Sequence, residues 1–122
     1  MTTKGNSKEF INGYPFDRDA FFANFHGMTD LGVKVITNFI GTVPGMMTAI
    51  NTAISEKNSK NLEISAHTLK GAVSHFHAEP CRRLAEALEK LGKSGDLKGC
   101  ENILAELRHE IQVLLEAMLE VK

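Results

Sequence analysis

Apolar residues recur at steps of three and four along most of this chain, the period of helices with one wet and one buried face. The first run is short, with Phe21, Phe22 and Phe25 behind Asp17, a suitable N-cap, and Gly27 able to end the helix in the left-handed conformation. Three rings on so short a helix predict a lid over something apolar. A second run follows Thr29, the next candidate cap, and comprises Leu31, Val35, Phe39, Ile40, Val43, Met46, Met47, Ile50 and Ile54. Pro44 removes the hydrogen bond to the Ile40 carbonyl, so the run reads either as one long kinked helix or as two that meet near Thr42.

The third run, Leu62, Ala66, Leu69, Val73 and Phe76, follows Asn58 or Ser59 as cap and predicts a helix to about His77. The fourth starts near Pro80, a residue suited to a first helical position, and its stripe of Cys81, Leu84, Leu88 and Leu91 stops at Gly92. Gly92-Lys93-Ser94-Gly95-Asp96 is turn chemistry ending in an N-cap, after which Ile103, Leu107, Ile111, Leu114 and Met118 mark a final long helix. Strand-like alternation is absent. The expected fold is all-α, an antiparallel four-helix bundle over residues 14–122 with one or two additional N-terminal helices. Residues 1–13 are polar apart from Phe10 and Ile11 and read as a flexible N-terminal arm.

A chain of 122 residues can bury a core without disulfides or a structural metal. Its 14 basic and 15 acidic residues, net charge -1, are mixed along the sequence and give no footprint for nucleic acid or an anionic membrane. Cys81 and Cys100 lack CxxC spacing and read as reduced packing residues, and no apolar signal segment is seen, so the expected location is cytoplasmic. No run is expected to reach the apolar length needed to cross a bilayer. The close pair His75 and His77 diverges by about 200° on a helix and does not suit a metal, and His26 and His109 read as surface or boundary residues. Met46 and Met47 read as core or as an interaction patch.

The candidate chemistry lies in Ala66-His67-Thr68-Leu69-Lys70-Gly71. With the apolar stripe of the third helix at zero, His67 falls near 140°, Lys70 near 80° and Gly71 near 180° at about 100° per residue. His67 therefore points away from the core. Neutral imidazole offers a nitrogen lone pair near physiological pH and can accept a phosphoryl group, while a lysine one turn on can bring charge to phosphate oxygens. Glycine costs roughly 1 kcal/mol in a helix relative to alanine, so Gly71 points to a steric demand for close approach to His67.

These residues resemble the histidine-containing phosphotransfer (HPt) domains of two-component phosphorelays. The resemblance covers about residues 16–120: residues 16–25 are similar to that family's opening helix, 39–47 to its proline-interrupted segment, and 88–96 to the leucine, glycine and Gly-Asp turn before its last helix. It implies that His67 is the phosphoacceptor, that Lys70 supports the phosphate, and that Gly71 clears space for a receiver domain. Glu89, 22 residues after His67, occupies a position where relay domains often have glutamine and chemotaxis-type kinases glutamate. An antiparallel hairpin would bring it beside His67, where it could orient the imidazole through Nδ1-H; a surface salt bridge with Lys93 is the alternative. Lys93 matches an often basic position and is a candidate rim charge. Two features depart from the family pattern. His77 stands where a glycine usually closes the motif helix, although histidine is enriched among non-glycine residues with positive φ, and Ala72 and Val73 replace small polar residues.

The resemblance implies a phosphoryl carrier, not an enzyme with turnover, that exchanges the group with an aspartate of a response-regulator receiver and takes part with a sensor or hybrid histidine kinase. Mg²⁺ is expected on the receiver, and neither a cofactor nor a metal on this chain, which is expected to be a monomer with no nucleic-acid or membrane partner. The rival readings are a non-phosphorylated helical interaction module using the same docking face, and a detached phosphotransfer domain of a hybrid or chemotaxis-type kinase. An enzyme with its own active site is disfavoured, because no phosphate-binding glycine loop, nucleotide motif or paired metal-ligand spacing occurs.

Overall fold

The structure, a computed structural model, describes residues 13–121. Residues 1–12, which hold most of the expected N-terminal arm, lie outside the described residues. Among the described residues five helices follow one another: α1 (Arg18–Ala23), α2 (Thr29–Ser55), α3 (Ser59–Ser74), α4 (Glu79–Ser94) and α5 (Cys100–Val121). Helices α2 to α5 make the expected bundle and α1 is the additional N-terminal helix. Packing is most extensive between α3 and α4, then between α2 and α3.

Asp17 caps α1, its carboxylate accepting from the Ala20 N–H at 3.0 Å. The helix ends at Ala23, and Gly27, at φ +89°, shapes the link to α2 instead of closing α1 as expected. That link, through His26 and Gly27 at positive φ, makes Met28 the N-cap of α2 and Thr29 its first helical residue, which corrects the cap assigned to Thr29. The expected lid is present. Phe21 lies 4.9 Å, ring centroid to centroid, from Phe76 in the turn after α3, and Phe76 also meets Phe39 of α2 at 4.9 Å and Phe16 at 6.3 Å.

Of the two readings around Pro44, the structure shows one continuous α2, with the proline on its exposed side. Leu31 and Val35 do not join the buried stripe; they are 43% and 39% exposed, and Gly32 and Ile36 take the buried positions. Gly32 is small for a reason, since a Cβ there would sit 2.5 Å from the Phe22 ring of α1. By length and composition α2 is apolar enough to cross a membrane, contrary to the sequence expectation. In this fold its Ile36, Phe39, Val43, Ile50, Ala53 and Ile54 supply the bundle core.

Asn58 caps α3 by accepting from the Asn61 N–H at 3.0 Å, and all five predicted core residues from Leu62 to Phe76 are buried. The helix stops at Ser74. His77 adopts φ +56°, and its carbonyl accepts from the Asp17 N–H at 3.3 Å, which ties the turn to the start of α1. Histidine thus fills the left-handed role usually given to glycine.

Gly92 does not end α4. The helix runs to Ser94 and closes on Gly95, which is left-handed at φ +80°, while Gly92 lies buried within it. Asp96 is likewise not the N-cap of the last helix. Its carboxylate accepts from the Lys98 N–H at 3.1 Å inside the connecting turn, and α5 begins only at Cys100, after Gly99 at φ +88°. Cys81 and Cys100 are free and buried, and burial pushes the Cys81 thiol up to about 12.

Candidate functional site

The 3.6-residue period that buries Ala66 and Leu69 leaves His67 on the wet side of α3, where 67% of its side chain is exposed. The antiparallel α3–α4 hairpin lays Glu89 beside it. Glu89 Oε2 lies 2.9 Å from His67 Nδ1, and Glu89 Oε1 lies 2.7 Å from the Nζ of Lys70, one turn further along α3. Glu89 is a charged residue held in the bundle interior, 8% exposed, while His67 and Lys70 reach outward over it. Among the described residues it pairs with the Lys70 ammonium and hydrogen-bonds the His67 imidazole, and no contact with Lys93 is seen.

The Lys70 ammonium, and then the hydrogen bond from His67, hold the Glu89 carboxyl below its ordinary 4.5 against the opposing effect of burial. The Lys70 contact is an ion pair outside hydrogen-bonding alignment, so Oε1 is buried with a counter-charge but no directed donor. An ionised carboxylate can only accept a hydrogen bond. Nδ1 of His67 therefore carries the proton in this contact, and in the neutral ring Nε2 keeps its lone pair.

Lys93 is exposed on the next turn of α4 and lines, with Glu63, Ile64, Thr68 and Glu89, a shallow depression of about 320 Å³ that also includes His67. Gly71 is exposed, and a Cβ there would meet nothing within 4 Å. Packing among the described residues does not require glycine at that position. A larger depression between α4 and α5, lined by Pro80, Arg83, Leu84, Glu106 and His109 among others, shares no residue with the His67 site. Among the described residues, no group of three or more His, Cys, Asp or Glu is placed to hold a metal.

The model of the Hpt domain family matches residues 34–117, more than two thirds of the chain and the whole α3–α4 hairpin. The chain belongs to the Hpt domain family. It is 22% identical over 107 residues to the phosphorelay intermediate protein rdeA of Dictyostelium discoideum, covering 88% of this chain but only 42% of that relative's length. Among solved structures it superposes on histidine-containing phosphotransfer protein B (HptB) of Pseudomonas aeruginosa PAO1 with a TM-score of 0.83 at 16% identity, covering 89% of this chain and 95% of that one. At that identity the likeness speaks for the fold alone.

The structure of this Hpt domain brings His67, Lys70, Glu89 and Lys93 to one face, as the sequence suggested. Three features of that face escape the sequence reading. Lys70 is engaged by Glu89 and does not stand free beside His67. Ile64, 53% exposed one turn before Thr68, lines depressions on both sides of α3. Its signal was legible, an isoleucine on the polar side of the motif helix. Gly92 has the look of a terminator, although it is a point of close helix contact.

Proposed function

We propose that His67 accepts a phosphoryl group on Nε2 and exchanges it with an aspartate of a response-regulator receiver domain. The observation that carries this is the pairing of an exposed imidazole with a buried carboxylate, 2.9 Å from Nδ1, which leaves Nε2 as the nucleophilic nitrogen. In the forward step the Nε2 lone pair forms the N–P bond while the P–O bond to the receiver's aspartate breaks, and the carboxylate departs as the leaving group. The Nδ1 proton stays in place throughout. The ring becomes cationic as the N–P bond forms, and Glu89 offsets that charge.

Lys70 is the phosphate-supporting cation. Its Nζ lies against Glu89 Oε1 and can be shared with phosphate oxygens on the neighbouring imidazole without leaving the carboxylate. Lys93 adds charge at the rim of the same depression. Gly71 keeps the surface beside His67 low, and since no described residue lies within 4 Å of a Cβ placed there, the demand for glycine comes from a docked partner. Exposed Ile64 offers that partner an apolar contact. Mg²⁺ belongs to the receiver, phosphoryl transfer being largely positioning and charge stabilisation, and a sensor or hybrid histidine kinase stands upstream. The chain carries the group without turnover of its own and works in the cytoplasm.

Incubation with a phosphorylated receiver tests this reading. An acid-labile, alkali-stable label on wild type and none on His67→Gln is the expected result. Label that persists in His67→Gln would remove the site assignment, and no label from any authentic cognate donor favours an interaction module that has lost the chemistry.

A further inference from the structure

Gly92 and Glu63 touch one helical turn away from Glu89 and His67. In the antiparallel hairpin the two pairs stand in one register, with 89 opposite 67 and 92 opposite 63. A Cβ on Gly92 would lie 2.6 Å from the Glu63 nitrogen, 2.9 Å from its Cα and 2.9 Å from the Ser59 carbonyl oxygen. All three are backbone atoms of the first turns of α3, so no side chain can rotate away to make room. The missing methyl group therefore sets how closely α4 approaches α3.

We infer that Gly92 is a positioning residue for phosphotransfer: by letting α4 close onto the backbone of α3, it brings the Glu89 carboxylate within hydrogen-bonding reach of His67 Nδ1. This deepens the proposed function and rests on His67 being the acceptor. Ordinary carbon contacts begin near 3.5 Å, so a methyl group at Gly92 forces a local separation of about 0.6–0.9 Å. Transmitted along one turn, that separation stretches the 2.9 Å contact between Glu89 Oε2 and Nδ1 to about 3.5 Å or more, the limit at which it ceases to be a hydrogen bond. His67 then loses the bias that keeps Nε2 unprotonated.

The test compares wild type with Gly92→Ala, using Gly41→Ala as a control that adds a methyl group to an exposed helical glycine with nothing within 4 Å. Nitrogen-15 NMR reads the His67 tautomer, carbon-13 NMR reads the Glu89 carboxyl titration, and label transfer from a phosphorylated receiver gives the rate. Gly92→Ala is expected to remain helical while its Nδ1-H tautomer loses population, its Glu89 titration rises toward the ordinary range and labelling slows on the order of tenfold or more, in line with the effect of ångström-scale misplacement. Gly41→Ala should match wild type in all three. A folded Gly92→Ala with wild-type tautomer and carboxyl titration overturns the inference even if its melting temperature falls. If the variant unfolds in buffer, the spectra are taken in trimethylamine N-oxide, which favours the compact state; failure to fold there also overturns it, because Gly92 is then a requirement of the bundle. Absence of label on wild-type His67 would instead defeat the acceptor reading, and the tautomer and titration data would still decide the role of Gly92.

Discussion

Glu89 Oε2 stands 2.9 Å from His67 Nδ1, joining a buried carboxylate on α4 to an exposed imidazole on α3. Replacement of Glu89 separates its two contributions. A glutamine in its place would retain a carbonyl that can accept from Nδ1-H but would lack the charge that offsets a cationic ring. Glu89→Gln is therefore expected to keep most of the Nδ1-H tautomer and slow phosphoryl acceptance, whereas Glu89→Ala loses both, with rates down by roughly tenfold and a hundredfold. Nitrogen-15 NMR with single-turnover labelling checks this; a wild-type tautomer in Glu89→Ala would show that Glu89 does not orient the ring.

Lys70 shares Glu89 with His67, so its removal should be felt at both. In Lys70→Ala the Glu89 carboxyl loses the largest of the influences that lower it, and its titration is expected to rise. Acceptance should slow by about tenfold or more from loss of a phosphate-facing cation. A normal rate together with a raised Glu89 titration would confine Lys70 to a structural pairing.

The same carboxylate gives a pH dependence of stability. Its folded value is depressed below 4.5, so the stabilisation is fully present above that value and is lost as pH falls through the folded value. Glu79 and Glu86 are lowered by Arg82 in the same direction, which makes the wild-type profile alone ambiguous. The stability difference between wild type and Glu89→Gln isolates the site. Urea melts should show that difference shrinking as the pH drops below about 4.5. A difference constant from pH 7 to the acid limit would mean that Glu89 titrates alike in the folded and unfolded chains.

His77 holds a left-handed backbone at φ +56° while its carbonyl accepts from Asp17. Glycine adopts that conformation freely, so His77→Gly should raise stability by up to about 1 kcal/mol, the relief of backbone strain being partly offset by the greater entropy of the unfolded chain. Chemical denaturation measures it. A loss of stability would show that the histidine side chain contributes more than its backbone costs.

How far the sequence foretold the molecule depends on what each residue contributes to a pattern. Leu62, Ala66, Leu69, Val73 and Phe76 define the buried face of α3 without ambiguity, and His67 follows as an outward residue because the period leaves it no other place. The apolar period draws the stripe of α2 through Leu31 and Val35 because Gly32 carries no apolar signal, although its smallness admits the Phe22 ring and turns that face inward. Gly92 misleads in the same way, as a glycine near a turn that in fact marks close helix contact. Asp96 has the chemistry of an N-cap but commits its carboxylate to the turn that precedes α5. The Glu89 contact needed the register of two helices, and Lys70 required in addition a side-chain direction that spacing alone leaves open.

The central claim is most directly tested by locating the new bond. The protein, nitrogen-15 labelled in its histidines and charged by a phosphorylated receiver, is examined by phosphorus–nitrogen correlation NMR under alkaline, non-denaturing conditions. One correlation, to Nε2 of His67 with its proton retained on Nδ1, is the predicted result. A correlation to Nδ1 of His67, or to His26, His75, His77 or His109, contradicts the account.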